Sequence, residues 1–206
     1  MDRTTKYAKE VLAGNIPSCK FVKQACKRHL EDMKSSKKKS YPYKFNSEKA
    51  ERSIEFFKLL KHSKGEFAGE EIELELWQCF RVGSVFGWEE KKTGYRRFRQ
   101  AYNQVPRKNG KSTEAAGIGL EMMTVDGEQG AEIYSAATKK DQAKIIFDEA
   151  KRMINASPYI KKHVDVFQAN INMPSTNSKF EPLSRDANAL DGLNYMLIRQ
   201  ERCMTY

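Results

Sequence analysis

The sequence lacks the features that mark secreted, metal-binding and membrane-spanning proteins. Its four cysteines are scattered without a Cys-x-x-Cys pair, and no amino-terminal segment resembles a signal peptide. No apolar run approaches the roughly 20 residues that a membrane span requires. Cys19, Cys26 and His29 follow helical spacings, which are typical of a buried stripe rather than of a metal site. These absences predict a reduced, cytoplasmic protein with no membrane segment.

Acidic residues are scarce in two parts of the chain. Residues 1–40 hold eleven Lys and Arg against four Asp and Glu, and residues 91–111 hold eight basic residues and no acidic one. The formal net charge of the 206 residues is +10. Because a basic surface concentrates polyanions, nucleic acids or nucleotides are the predicted partners, with a solvated basic face as the alternative. The Lys-rich run at residues 34–40 is predicted to be an exposed linker, and contact with DNA phosphates is its second interpretation.

The part of the sequence that carries chemistry is residues 104–113, Gln-Val-Pro-Arg-Lys-Asn-Gly-Lys-Ser-Thr. Gly110 has no Cβ where the chain must approach a polyphosphate, and Lys111 supplies a point charge for the β- and γ-phosphates. Ser112 is placed to offer its hydroxyl to Mg²⁺, at the positive end of a helix dipole. The full pattern has a second glycine where this chain has Val105. The order Gly-Lys-Ser predicts a phosphate-binding loop, and a plain basic turn is the alternative.

The segments around this loop have the order of a βαβ unit. Residues 97–105 partly alternate apolar and polar side chains, which predicts a strand. Residues 113–123 carry small and apolar residues at helical spacing, and a turn at 126–130 leads into a strand candidate at 131–137. The predicted fold class is therefore α/β, a phosphate-loop NTPase type with a parallel sheet flanked by helices.

The first 65 residues differ in pattern from the rest and predict a small helical region, followed by the α/β domain at 66–206. One helical stripe contains Phe21, Val22, Ala25, Cys26, Leu30 and Met33. A short extended segment at 71–76 then runs into a helix that carries Gln78. A glutamine amide donates and accepts hydrogen bonds together, as the edge of adenine requires, so Gln78 is a candidate base reader. An ordinary polar helix position is the alternative.

These residues together resemble the large subunit of tailed-phage DNA-packaging terminases, of the lambda-like or HK97-like group. The matching segments are Leu76-Trp77-Gln78, Phe86-Gly87-Trp88, residues 104–113, 126–127, 134–138, 183–186 and 190–194. They cover almost the whole chain in the order typical of that family. Terminase phosphate loops resemble x-x-Arg-x-x-Gly-Lys-Ser/Thr, so the resemblance also explains why Val105 replaces a glycine.

The resemblance implies a role for each residue of the loop. Arg107 would contact the γ-phosphate as a sensor or arginine finger. Lys111 would be the second catalytic residue, and Ser112 would be the Mg²⁺ ligand. Trp77 and Gln78 would lie at the adenine. The ATP-binding set that the resemblance implies is Trp77, Gln78, Arg107, Lys108, Asn109, Gly110, Lys111, Ser112 and Thr113. Such proteins use ATP hydrolysis to drive double-stranded DNA into a procapsid, with a small subunit and a portal as partners.

The carboxyl-terminal residues depart from the family pattern. A phosphate-loop ATPase needs a later apolar strand that ends in Asp-Glu, where the Asp serves Mg²⁺ and the Glu orients the attacking water. Here Arg199 and Gln200 follow the apolar run, and Glu201 is the nearest carboxylate. The nuclease acidic cluster of the family is absent from the sequence. We therefore expect a fragment truncated before the acidic pair, with poor ATP hydrolysis, exposed sheet edges and a tendency to form homo-oligomers.

Two other function classes stay open on the sequence. The first is a non-catalytic, basic protein that binds DNA or the packaging motor through its amino-terminal region. The second is a nucleotide-dependent kinase or another phosphoryl transferase on the same fold, although lid and acceptor signatures are missing.

Overall fold

The computed structural model describes residues 1–137, 140–183 and 195–199. The chain divides into two compact units, each formed by two stretches of sequence. The first unit contains Met1–Glu55 and Glu73–Tyr102, and the second contains Phe56–Ile72 and Asn103–Tyr206. Each unit is thus built from two separate stretches of the chain. The domain boundary after residue 65 stays a prediction.

The first unit is mainly helical. Its elements are α1 (Arg3–Ala13), α2 (Lys20–Ser35), β1 (Tyr43–Phe45), α3 (Ser47–Phe56), α4 (Leu76–Gly87) and β2 (Trp88–Glu90). Strands β1 and β2 pair antiparallel. A buried cluster forms where α1 packs against α2 and α4, from Tyr7, Ala8, Val11, Cys26 and Phe80.

Local sequence sets the ends of α1. The side chain of Asp2 accepts a hydrogen bond from the backbone N–H of Thr5 at 2.7 Å, so Asp2 caps the amino terminus. Gly14 ends the helix with a φ of 85°, which favours glycine. Between these ends, Thr4 packs on Gly83 of α4, where an added Cβ would lie 1.9 Å from Thr4 Oγ1. The two helices therefore approach closely because residue 83 has no side chain.

Helix α2 forms where the apolar stripe predicted it, with one difference. Cys26 and His29 are buried, but Phe21 is 78% exposed and lies outside the core. The stripe is therefore shorter than its apolar residues suggest. Among the residues that the structure describes, no helix is long and apolar enough to cross a membrane.

The second unit is built on a five-stranded sheet. Its strands are β3 (Glu132–Ala136), β4 (Asp165–Val166), β5 (Ile171–Met173), β6 (Ser178–Pro182) and β7 (Tyr195–Arg199). Their order is β4-β5-β6-β3-β7. Strand β3 is parallel to both β6 and β7, whereas β4 and β5 extend the sheet antiparallel. The central strands thus carry the parallel arrangement that needs helical crossovers.

Three helices and a 3₁₀ turn accompany this sheet. They are α5 (Lys111–Thr124), α6 (Lys140–Ala156), α7 (Pro158–Lys161) and the turn Phe57–Leu59. The largest fully buried side chains of this unit include Phe57, Leu120, Ile133, Ile146, Phe147 and Phe180. A Cβ at Gly117 would lie 2.3 Å from Phe57 Cε1, and a Cβ at Gly119 would lie 2.8 Å from Phe180 Cε1. The glycines of α5 therefore let aromatic rings pack directly on the helix backbone.

The predicted fold class is confirmed. Parallel strands with packed helices follow a helical amino-terminal region, as the sequence predicts for an α/β protein of this type. The helix after the loop forms as α5, and the strand candidate at 131–137 forms as β3. The apolar positions Val166, Ile171 and Phe180 lie in three separate short strands.

The strand predicted at residues 97–105 is wrong, because these residues form no strand. Arg97 instead donates its N–H to the carbonyl of Trp88, and its guanidinium bonds Asp32 at 2.6 Å and lies 4.7 Å from the centre of the Tyr43 ring. Tyr102 is 83% exposed. The alternation of this segment therefore reflects contacts between cations and aromatic rings and not a buried sheet face.

Candidate nucleotide-binding site

The loop at residues 105–110 ends at the first turn of α5. Gly110 is the N-cap of this helix and has a φ of 67°, in the left-handed region that favours glycine. Lys108 also has a positive φ, 66°, which is rare for a residue with a side chain. Two left-handed residues so close together turn the chain sharply into the helix. In any α-helix the first N–H groups have no carbonyl one turn earlier to bond, so a helix start offers donors to an anion.

Side chains of the loop bond the loop's own carbonyl groups. Lys111 Nζ donates to the carbonyl oxygens of Val105 at 2.7 Å and Pro106 at 2.8 Å. Asn109 Nδ2 donates to the carbonyls of Pro106 at 3.3 Å and Arg107 at 3.1 Å. The ammonium group of Lys111 is thereby held at the start of the loop, here called the mouth of the loop.

The donors of this loop suit a polyphosphate with a hard cation. An ammonium, the N–H groups of a helix amino terminus and a hydroxyl meet within four residues, from Gly110 to Thr113. Arg107 and Lys108 are exposed, and Ser112 and Thr113 are half-buried. Phosphate oxygens accept hydrogen bonds from such donors, and Mg²⁺ prefers oxygen ligands such as a serine hydroxyl. The residues present therefore fit a nucleoside triphosphate with Mg²⁺.

A buried carboxylate that the sequence analysis missed adjoins this turn. Glu149 of α6 has 3% of its side chain exposed. Its Oε1 accepts hydrogen bonds from Ser63 Oγ at 2.8 Å and from Thr113 Oγ1 at 3.4 Å. Its Oε2 accepts a hydrogen bond from Arg152 at 2.7 Å and lies 3.4 Å from Lys64 Nζ. One oxygen thus holds two hydroxyls, and the other holds two cations.

A signal for Glu149 exists in the sequence. It follows Ile146 by three residues and precedes Met153 by four, so it falls on the apolar stripe of α6. An acidic residue on a buried stripe is expected to have partners, because an unpaired buried charge is costly. The partners themselves come from distant parts of the sequence, and periodicity does not identify them.

Trp77 and Gln78 lie in the first compact unit, whereas the loop lies in the second. Gln78 Oε1 accepts a hydrogen bond from the N–H of Glu75 at 2.9 Å and so caps α4. The guanidinium of Arg81 lies 4.5 Å from the centre of the Trp77 ring. In the structure, both candidate adenine contacts therefore have local roles in α4.

The apolar run before Arg199 forms a strand, β7. Strand β7 is parallel to β3, with Arg199 opposite Ala136 at the carboxyl end of both strands. Gln200 and Glu201 lie outside the described residues, so their predicted relation to the site stays a prediction. The last residue of the strand next to β3 is therefore an arginine.

Comparison with known proteins decides the family. The model of the family described as "Terminase large subunit, ATPase domain" matches residues 76–204, more than half of the chain. The chain belongs to this family. The terminase relationship that the motifs suggested is thereby confirmed, and the matched residues include the loop at 105–110, α5 and the sheet.

Two relatives from phage HK97 support the terminase assignment. The large terminase subunit of Enterobacteria phage HK97 is 31% identical over 97 residues, which are 45% of this chain and 19% of that protein. The crystal structure of the HK97 bacteriophage large terminase matches with a TM-score of 0.59 and 24% identity, over 72% of this chain and 30% of that chain. The structural match supports the fold. This terminase-family chain spans less than a third of either relative.

Proposed function

We propose that this chain binds ATP with Mg²⁺ through the loop at residues 105–113 and acts as the ATPase part of a phage DNA-packaging motor. The observation that carries the proposal is the position of Lys111, which begins α5 directly after the left-handed Gly110 and directs its ammonium to the mouth of the loop. Membership of the terminase ATPase family supports the same assignment.

Each loop residue has a role that follows from its chemistry. The N–H groups of Gly110, Lys111 and Ser112 bind phosphate oxygens, helped by the helix dipole. The Lys111 ammonium leaves the carbonyls of Val105 and Pro106 and neutralises the β- and γ-phosphates. The Ser112 hydroxyl holds Mg²⁺. When bound, ATP with Mg²⁺ supplies the phosphoanhydride bond whose cleavage releases free energy.

The remaining candidate residues surround this core. The exposed Arg107 is proposed to contact the γ-phosphate and offset the charge that spreads over it during transfer. Lys108 and Asn109 shape the loop, and Thr113 completes the ATP-binding set from the first turn of α5. Trp77 and Gln78 are proposed adenine contacts, which requires the Gln78 amide to exchange its capping bond with Glu75 for the base edge.

Hydrolysis by this chain is proposed to be slow. The end of β7, next to β3, is where the family resemblance places an Asp that serves Mg²⁺, and Arg199 stands there. A guanidinium repels a cation and does not activate water. The protein is therefore proposed to bind nucleotide without efficient turnover.

The proposed partners follow from the packaging role. They are double-stranded DNA, the terminase small subunit, and the portal of the procapsid, in the cytoplasm of a bacterial host. Further copies of the chain are also proposed, because a packaging ATPase works around a DNA axis. The basic charge of +10 supports a polyanionic partner.

The test is binding of a fluorescent ATP analogue with Mg²⁺ to the full chain. Lys111→Ala is expected to weaken binding at least about tenfold, since it removes a charge-assisted contact. Lys144→Ala is the matched control, because Lys144 is an exposed cation of α6 in the same compact unit. Equal affinity of the two variants would reject the proposal. Removal of Mg²⁺ with EDTA should weaken binding to wild type more than to Ser112→Ala.

A second candidate function, DNA binding without catalysis, is favoured by one observation. Lys37, Lys38 and Lys39 are all exposed after the end of α2. Neutralising all three should lower the salt dependence of DNA binding, by up to about 0.9 in the log–log slope per lost phosphate contact. DNA affinity that depends on these lysines and not on Lys111, together with no ATP binding, would select this alternative.

A further inference from the structure

The contact between Glu149 and Thr113 has a geometric consequence for the site. Thr113 is the third residue of α5 and directly follows Ser112. Neighbouring residues of an α-helix project about 100° apart around its axis. A Thr113 hydroxyl held by Glu149 therefore fixes the direction in which the Ser112 side chain leaves the helix.

A second contact fixes the same face of α5 one turn later. Gly117 follows Thr113 by four residues, so the two lie on one face of the helix. The Phe57 ring packs on Gly117, where a Cβ would meet it at 2.3 Å. Ser63, which shares Glu149 Oε1 with Thr113, follows Phe57 by six residues. The segment 57–63 and Glu149 together hold the beginning of α5.

The charges around Glu149 suit a position close to a polyphosphate. A lone carboxylate there would repel the anion, but Lys64 and Arg152 give the cluster a net charge of +1. Burial by itself raises the pKa of Glu149, and the hydrogen bonds from Arg152 and Ser63 with the charge of Lys64 outweigh it and hold the pKa below its usual value. Glu149 is therefore an ionised acceptor for the two hydroxyls at neutral pH.

We infer that Glu149 is a positioning residue of the nucleotide site. Through the Thr113 hydroxyl it orients the first turn of α5, and with it the backbone N–H groups and the Ser112 hydroxyl, toward the phosphates. Glu149 itself does not touch the nucleotide. This inference rests on the proposed ATP binding by the loop.

The experiment measures binding of the fluorescent ATP analogue with Mg²⁺ to full-chain variants. Thr113→Val keeps the shape of the side chain and removes the hydroxyl, and it is expected to weaken binding about tenfold. Thr113→Ser keeps the hydroxyl and should recover most of that affinity. Glu149→Gln should weaken binding to a similar extent. In a double-mutant cycle, Thr113→Val should add little to Glu149→Gln, because both changes remove one interaction.

The control is Glu132→Gln, which makes the same change in charge within the second unit. Glu132 pairs with Lys179 at 3.2 Å on the sheet, and its loss should leave ATP affinity unchanged within about twofold. If Glu149→Gln does not fold, Ser63→Ala and Thr113→Val still remove one hydroxyl each and leave the ion pairs in place. Thermal unfolding without nucleotide should then show a cooperative transition for both variants.

The outcomes separate the two proposals. Wild-type binding that Lys111→Ala abolishes, with Thr113→Val binding like wild type or with strictly additive effects in the cycle, overturns the role of Glu149 alone. No saturable binding by the wild type, or binding insensitive to Lys111→Ala, overturns the proposed function and this inference with it.

Discussion

Trp88 Nε1 donates a hydrogen bond to His29 Nδ1 at 3.0 Å in the core of the first unit. Because Nδ1 accepts, the proton of the neutral imidazole resides on Nε2, which lies 3.2 Å from the Thr5 hydroxyl. The ring also meets Phe45 edge-on, with 4.9 Å between ring centres. His29 is thus a neutral link between α1, α2 and the paired strands β1 and β2. A protonated ring would lose the bond from Trp88.

This arrangement predicts a loss of stability in mild acid. Burial lowers the pKa of His29 to about 4, although Asp2 and Asp32 act in the opposite direction and Arg28 adds to the lowering. Between that value and about 6.5 the unfolded chain binds a proton that the folded chain does not, so stability falls as pH falls. We expect a loss of about 1 kcal/mol from pH 7 to pH 5.5. Urea unfolding at both pH values measures it.

The control is a His29→Asn variant, which carries no titrating ring at this position. It should be less stable at pH 7 than the wild type and should lose less stability on acidification to pH 5.5. Most carboxylates keep their charge in this pH range in both states, so they contribute little to the difference. Equal pH dependence in the variant and the wild type would contradict the assignment to His29.

The left-handed backbone of Lys108 predicts a difference between two substitutions that remove the same charge. Lys108→Gly relieves the strain of a φ of 66°, whereas Lys108→Val increases it, because a β-branched residue is least tolerant of that region. We expect the Gly variant to bind the ATP analogue about five- to tenfold more tightly than the Val variant. Equal affinities would indicate that the loop changes its conformation when nucleotide binds.

Gly117→Ala is expected to destabilise the protein by roughly 1–3 kcal/mol, as overpacking of a core does. The direction of this change in stability is informative, because replacing Gly by Ala inside a helix ordinarily stabilises a protein by up to about 1 kcal/mol. Here the new methyl group would lie 2.3 Å from Phe57 Cε1. Chemical denaturation measures the change. Combining Gly117→Ala with Phe57→Leu should cost less than the sum of the single changes, and additivity would argue against this contact.

Steady-state ATP turnover is expected to be near background, with and without DNA. The reason is that β7 ends next to β3 in an arginine, Arg199, and not in an aspartate. A phosphate-release assay measures turnover at saturating ATP. Robust turnover that Lys111→Ala abolishes would show that other groups supply the missing carboxylates. The double change Arg199→Asp with Gln200→Glu should raise turnover by about tenfold or more if the strand end is the limiting position.

Much of the candidate site could be predicted because its signals are local. A glycine followed by lysine and serine before small and apolar residues predicts both the loop and α5, and the structure has a helix that begins at Lys111 directly after Gly110. The apolar residues Val166, Ile171 and Phe180 each lie in a short strand. The strand predicted at 97–105 failed because alternation cannot distinguish a sheet face from an aromatic and cationic surface, which depends on Tyr43 and Trp88.

The sequence by itself determined the terminase-like motifs, the loop and the helices and strands that follow it, because capping, glycine geometry and periodicity act over a few residues. The tertiary structure decided which distant segments share a unit, and therefore which partners Glu149 has. Ser63 and Thr113 lie 86 and 36 residues from it along the chain. Such pairings are fixed only when the core closes, since a buried carboxylate becomes stable where packing brings hydroxyls and cations to it.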